Sequence, residues 1–239
     1  MNQQPLEKQE DSDLLDVQEV FFTIQGEGPF TGRPAIFVRM AGCSLNCPSC
    51  DTDYTSKRKK LSMVNLAREV QRKIPDRWWH PLLVITGGEP FRQNIAGLIN
   101  YYCDSGWQVQ IETNGIHLPL DVNEIAHELN LTIVCSPKTK INDKFKPFIG
   151  HLKYILDHRY IDPEDGLPTH SLGMDARPER PWPGFLGEVW VQPIDTGYGG
   201  GYFSPSNFMD VRNVQACVDS CKKFGYRISL QTHKLLGLT

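Results

Sequence analysis

The sequence predicts an α/β fold on a mainly parallel sheet, arranged as an α/β barrel or an open α/β sheet. Three observations carry that expectation. Short β-rich runs recur along the chain, and most are continuously apolar rather than alternating, as in strands buried on both faces. Helical patterns sit between them. Nearly every run is followed by polar or charged residues with a Gly or Pro, so the carboxyl ends of the strands collect the chemistry.

In chain order, "MNQQPLEKQEDSDLLD" is polar and acidic and unlike a signal peptide. It reads as a loose tail, residues 1–16, that joins the fold near Val17, with 17–239 as a single domain. The strand candidates are "AIFVRM" (35–40), "LLVIT" (82–86), "VQIET" (around 108–113), "TIVCS" (132–136), "LKYIL" (152–156), "EVWVQ" (188–192) and "RISLQ" (227–231). "SMVNLAREVQRKI" is a helix with Ser62 as its N-cap. "QNIAGLINYYCDSG" and "SPSNFMDVRNVQACVDSCKKFG" are helices that stop on Gly106 and Gly225. The Pro-, Gly- and charge-rich stretch near 157–185 reads as a surface insertion. "KRKK" (57–60) reads as a solvated loop, and "GYGGGY" (197–202) as a flexible turn without the Lys-Ser/Thr of a phosphate loop. Trp78 and Trp79 are expected to pack on a helix or a partner subunit.

With 40% hydrophobic residues among 239, the chain can bury a substantial core. Lys+Arg is 25 against Asp+Glu 28, a net charge of −3, which gives no electrostatic footprint for nucleic acid or an anionic membrane. No apolar run approaches membrane-spanning length. An odd number of cysteines, 7, without a secretory signal predicts reduced thiols in the cytoplasm and metal or redox chemistry rather than disulfides.

Three of those cysteines share the loop "CSLNCPSCDT": Cys43, Cys47 and Cys50. A structural zinc wants four closed ligands, usually as two close pairs, and only Cys47/Cys50 forms such a pair. A [4Fe–4S] cluster normally takes four cysteines, so three would leave one iron open beside the strand-end crevice. Spacing favours the cluster, with a zinc-stabilised binding module as the alternative. Cys103, Cys135, Cys217 and Cys221 read as core fillers.

Cys-x3-Cys-x2-Cys after the first barrel strand resembles the signature of the radical S-adenosylmethionine (SAM) superfamily. That resemblance implies a partial (β/α) barrel, with SAM bound to the open iron and cleaved to a 5′-deoxyadenosyl radical. "TGGEP" (86–90) resembles the superfamily's second motif, which binds the SAM amino group, with Glu89 offering charge. The segments "FFTIQGEGPFTGRPAIFVRMAGCSLNCPSCDTDYT", "IETNG", "CSPK", "VQP" and "RISLQTHKLLGLT" resemble the 7-carboxy-7-deazaguanine synthase family. The resemblance runs from Val17 onward and omits the stretch near 157–185.

This resemblance implies a lyase of queuosine biosynthesis that converts 6-carboxy-5,6,7,8-tetrahydropterin into 7-carboxy-7-deazaguanine with loss of ammonia. It also implies Mg²⁺, a homodimer, and a flavodoxin-like or ferredoxin-like electron donor. Cys43, Cys47 and Cys50 would hold the cluster and Thr52 would ligate Mg²⁺. Asp51, Gly88, Glu112, Ser136, Lys138 and Gln192 would line the SAM pocket. Gln25, Gly26, Glu27, Arg39, Thr86 and His233 would hold the pterin, joined by the α-carboxylate of Thr239. A glycyl-radical activase is the competing enzyme class, and such enzymes often carry a second cysteine cluster that this chain lacks.

Overall fold

A computed structural model describes residues 6–75, 81–195 and 210–238. Nine strands are formed: β1 (Leu14–Ile24), β2 (Pro34–Met40), β3 (Lys59–Ser62), β4 (Leu82–Gly87), β5 (Val109–Thr113), β6 (Leu131–Cys135), β7 (His151–Leu156), β8 (Glu188–Pro193) and β9 (Arg227–Ile228). They make one sheet in the order β3-β1-β2-β4-β5-β6-β7-β8-β9. β1 pairs antiparallel with β2 and β3, and the pairs from β2 to β9 are parallel. The expected α/β class and mainly parallel sheet are therefore present.

The continuous apolar runs have the expected cause. Leu82, Leu83, Val84 and Ile85 of β4 are all fully buried. Leu83 and Ile85 join the large core with Leu66, Val70 and Ile99 from the helices, while Leu82 and Val84 join Ala35 and Phe37 on the opposite, concave face. Each such side chain contributes about 1.5–3 kcal/mol through removal from water.

Helix α1 (Met63–Gln71) starts where its cap predicts, with Ser62 Oγ accepting from the Asn65 N–H at 3.4 Å. Helix α2 (Ala96–Asp104) is followed by Gly106 at φ 81°. Residues 122–125 form a single-turn α3. Helix α4 (Val211–Phe224) is capped by Asp210 and ends on Gly225 at φ 77°, a left-handed position that favours glycine. α5 (Thr232–Leu235) is one turn near the chain end.

Several expectations are corrected. Strand and helix do not alternate throughout: the β6–β7 connection holds only a 3₁₀ turn, Lys146–Phe148, and no helix joins β7 to β8 among the described residues. Buried Ile141, Phe145 and Ile149 cover the sheet from that loop instead, with Phe145 edge-on to Phe91 at 5.3 Å. β9 ends at Ile228, short of residue 231; Ser229 still donates its N–H to the Val191 carbonyl at 2.9 Å, and its hydroxyl donates to Gln192 Oε1 at 3.0 Å.

The N-terminal segment is not loose up to residue 16. β1 starts at Leu14, and the Glu7 N–H donates to the Cys43 carbonyl at 3.0 Å. Glu7, Glu10 and Asp16 all pair with Arg92, which is 2% exposed. The stretch near 157–185 is only partly surface. Leu167 is buried, Asp165 pairs with Arg180 at 2.7 Å, and the Leu172 carbonyl accepts from Ser49 N–H at 3.1 Å. Trp78, Trp79, the "GYGGGY" turn and the beginning of the helical pattern before Asp210 lie outside the described residues.

The edge strands β3 and β9 do not pair with each other. The gap beside β1 is spanned by the chain after β9. Ser229 Oγ accepts from Gly28 N–H at 3.0 Å, and Thr232 N–H donates to the Gly26 carbonyl at 3.1 Å. The sheet is thus a partial barrel, closed by a loop rather than by a strand.

Candidate active site

The carboxyl ends of the parallel strands enclose a cavity of about 430 Å³. Period-two alternation decides which side chains enter it. Phe37 and Arg39 enter from β2, Thr86 from β4, Glu112 from β5, Ile155 from β7 and Gln192 from β8. Register places Arg39 beside Thr86 and Ile155 beside Gln192.

Cys43, Cys47 and Cys50 line one wall of the cavity, each partly buried. Burial pushes the Cys43 thiol up to about 12, against a hydrogen bond from Leu45 N–H at 3.4 Å. Burial also raises Cys47, where the Lys138 ammonium opposes it, and Cys50. Such thiols lose their protons only to a strong local positive charge, as a metal provides.

The second-motif loop is locked onto the cysteine loop. Gly88 N–H donates to the Met40 carbonyl at 3.0 Å, and Glu89 N–H to the Gly42 carbonyl at 2.9 Å. Gly87 sits at φ 111°, and a Cβ there would stand 2.3 Å from the Met40 carbonyl oxygen. Glu89 does not offer its charge to the cavity. It is fully buried, and its carboxylate accepts from Thr113 Oγ1 (2.7 Å), Asn114 N–H (2.8 Å) and Phe91 N–H (3.0 Å). It ties this loop to the turn after β5.

Residues 37–155 match the Radical SAM superfamily model. The chain is 40% identical to the 7-carboxy-7-deazaguanine synthase of Rhodospirillum rubrum, across 95% of this chain and 94% of that protein. The chain belongs to the 7-carboxy-7-deazaguanine synthase family. The Rickettsia prowazekii 7-carboxy-7-deazaguanine synthase is 33% identical across 95% of this chain and 90% of its own length. In fold, the chain is similar to the crystal structure of QueE from Escherichia coli, with a TM-score of 0.64 at 23% identity over 91% of this chain and 93% of that one.

A radical SAM domain implies a [4Fe–4S] cluster and SAM, and the donor set fits such a cluster. Three soft sulfur donors lie on one cavity-lining loop, and Leu45 N–H and Asn114 Nδ2 approach Cys43 Sγ. Among the described residues, no three His, Cys, Asp or Glu groups converge on a single-ion site.

Most of the other sequence-predicted residues line the same cavity, those after β1 reaching it from beside the amino end of β2. Asp51, Thr52, Gly88, Glu112, Ser136, Lys138 and Gln192 all line the cavity, as do Gln25, Glu27, Arg39, Thr86 and His233. Lys138 Nζ donates to the Ser136 hydroxyl at 2.7 Å. Glu112 accepts from Gln25 Nε2 (3.0 Å), Gln110 Nε2 (2.9 Å) and Thr86 Oγ1 (2.8 Å). Arg39 pairs with Glu19 at 2.8 Å while lining the cavity. Gly26 is not in the wall. A Cβ there would stand 2.0 Å from His233 Nδ1, so its bare backbone makes room for the histidine. Thr239 lies outside the described residues, and Leu238 before it lines the cavity.

Sequence reasoning missed Lys153 and Asp195 and gave Gln231 and Lys234, polar residues that follow an apolar run, no role; all four line the cavity. Gln231 Nε2 donates to Glu27 Oε1 at 2.8 Å and to Asp51 Oδ2 at 3.1 Å, and Lys234 Nζ to Asp51 Oδ2 at 2.8 Å. Lys153 had a legible signal: it is a cation inside the otherwise apolar run "LKYIL".

Proposed function

We propose that this chain performs the reaction for which its relatives are named, making 7-carboxy-7-deazaguanine from 6-carboxy-5,6,7,8-tetrahydropterin with loss of ammonia. The observation that carries this reading is the three-thiol loop in the wall of a cavity whose other walls hold paired carboxylates, amides and cations. That lining suits a small polar heterocycle better than a peptide, which weighs against an activase.

Cys43, Cys47 and Cys50 would hold the cluster. Gly88, Glu112, Ser136, Lys138 and Gln192 would receive SAM, with Asp51 beside it. When bound there, cluster and SAM would supply radical chemistry to the substrate. The protein positions the ring and excludes water. Glu27 accepts from the donor edge of the pterin, Gln25 and Thr86 fix its plane, and neutral His233 lies against Gly26. Arg39 is chemically suited to the substrate carboxylate through paired hydrogen bonds, and would exchange Glu19 for it. The Thr52 hydroxyl and the substrate carboxylate would share a Mg²⁺ that keeps several waters. A homodimer, a flavodoxin-like or ferredoxin-like donor and a cytoplasmic setting complete the reading. No described helix is long and apolar enough to cross a membrane.

The test is anaerobic iron–sulfur reconstitution followed by turnover of carboxytetrahydropterin with SAM, reductant and Mg²⁺, reading product mass and ammonia. A reconstituted protein that cleaves SAM but forms no carboxydeazaguanine would remove the substrate assignment. A colourless zinc protein would remove the class.

A further inference from the structure

Lys153 stands on β7 two residues before Ile155, on the face that looks into the cavity. It is 6% exposed, and its ammonium pairs with Glu27 Oε2. The other Glu27 oxygen accepts from Gln231. Burial alone would push the lysine toward its neutral form, but the carboxylates of Glu27, Glu112 and Asp51 outweigh it and keep the ammonium charged. A buried ion pair contributes little stability compared with an apolar pair of the same size. A lysine in the substrate wall therefore points to recognition.

An ammonium carries three donors, and Glu27 engages one. A carboxylate beside an ammonium presents acceptor and donor side by side. The complement of that pair is a lactam edge, an N–H next to a C=O. Resting on the reading of this cavity as a pterin site, we infer that Lys153 is a specificity-determining residue that donates to the pterin O4 while Glu27 accepts from N3–H and the 2-amino group. The pair thereby selects a 4-oxo ring over a 4-amino ring, because an amino group would leave the ammonium facing a donor.

The test measures binding calorimetrically on anaerobic holoenzyme with SAM, in neutral buffer where a diaminopterin is uncharged on its ring and the pterin keeps its N3–H. The ligands are 6-carboxypterin and its 2,4-diamino analogue. The unsubstituted enzyme should favour the 4-oxo ligand by roughly tenfold or more, the scale of one charge-assisted hydrogen bond. Lys153→Met should shrink that ratio to the share that Glu27 keeps through N3–H, and Lys153→Gln, which keeps an N–H donor, should retain more of it. If Lys153 only holds Glu27 in place, both ligands weaken together in Lys153→Met and the ratio is unchanged, which overturns the inference and leaves the pterin reading intact. If Lys153→Met does not fold, Lys153→Gln decides: an unchanged ratio with weaker binding of both ligands overturns it. Failure of the unsubstituted holoenzyme to bind either ligand would instead remove the pterin reading on which the inference rests.

Discussion

Gly88 meets Gly42 backbone to backbone: a Cβ on Gly88 would stand 1.8 Å from the Gly42 carbonyl oxygen. No side chain can yield there, so Gly88→Ala must displace either the second-motif loop or the cysteine loop. A shift of about 1 Å in such a site costs roughly a hundredfold in rate. Gly88→Ala should lose at least that much turnover and bind SAM weakly, as isothermal titration would show. Wild-type SAM affinity in this variant would mean the two loops are not locked.

Cys43→Ala, Cys47→Ala and Cys50→Ala should each abolish cluster loading and turnover while the fold persists, because three donors leave no spare thiolate. Iron content, visible absorption and circular dichroism together check this. Cys217 is fully buried in the core away from the cavity, so Cys217→Ala should leave turnover unchanged. Full iron content in any of the three loop variants contradicts the ligand set.

Arg92 and Asp16 are each 2% exposed and lie 3.0 Å apart. Arg92→Met leaves a buried carboxylate short of a partner and should destabilise the fold by about 3–5 kcal/mol in urea unfolding. Adding Asp16→Asn should recover part of the loss. A single variant as stable as the parent would mean that Arg58, the second partner of Asp16, suffices alone.

His117, His151 and His233 are all held below 6.5, chiefly by burial. In the unfolded chain they protonate as pH falls through 6.5, while in the folded chain they do not. The unfolded state then binds more protons, so their contribution to stability is complete above 6.5 and is lost as pH falls below it. Stability should decline from neutral pH to about pH 5.5, and His233→Gln should flatten that slope. An identical slope in the variant would show that His233 titrates normally.

Mg²⁺ should accelerate turnover, and Thr52→Ala should weaken the dependence most at low Mg²⁺. One neutral hydroxyl is a modest ligand among waters, so a partial loss is expected. A rate indifferent to chelation of divalent metal ends the Mg²⁺ assignment.

Much of the site was legible because polar residues after apolar strands have few structural reasons to cluster. Glu112, Ser136, Lys138 and Gln192 were found that way, with the family resemblance assigning them roles and adding Asp51. Glu89 was misread because its partners are backbone N–H groups and a threonine on another strand, contacts that the motif itself does not display. Lys153 was overlooked although its charge was visible, because the apolar residues around it marked the run only as a buried strand. The tail was judged by its composition. Its acidic residues are in fact the counter-charges of Arg92 and Arg58, a complementarity between positions as much as 85 residues apart. The general alternation of strand and helix does not hold between β6 and β8. There Pro-bearing loops bury Phe145 and Leu167 without needing helical periodicity.

The loop that closes the barrel beside β1 also sets an order of events during synthesis. Lys234, which fastens the chain end to Asp51, is added 183 residues after it. Residues 43–50 therefore leave the ribosome long before Lys234 and Gln231 can cover the neighbouring Asp51. Once residues 231–238 dock, the same loop belongs to a finished cavity. The ring is thus sealed by a segment far along the chain from the thiol loop it closes over.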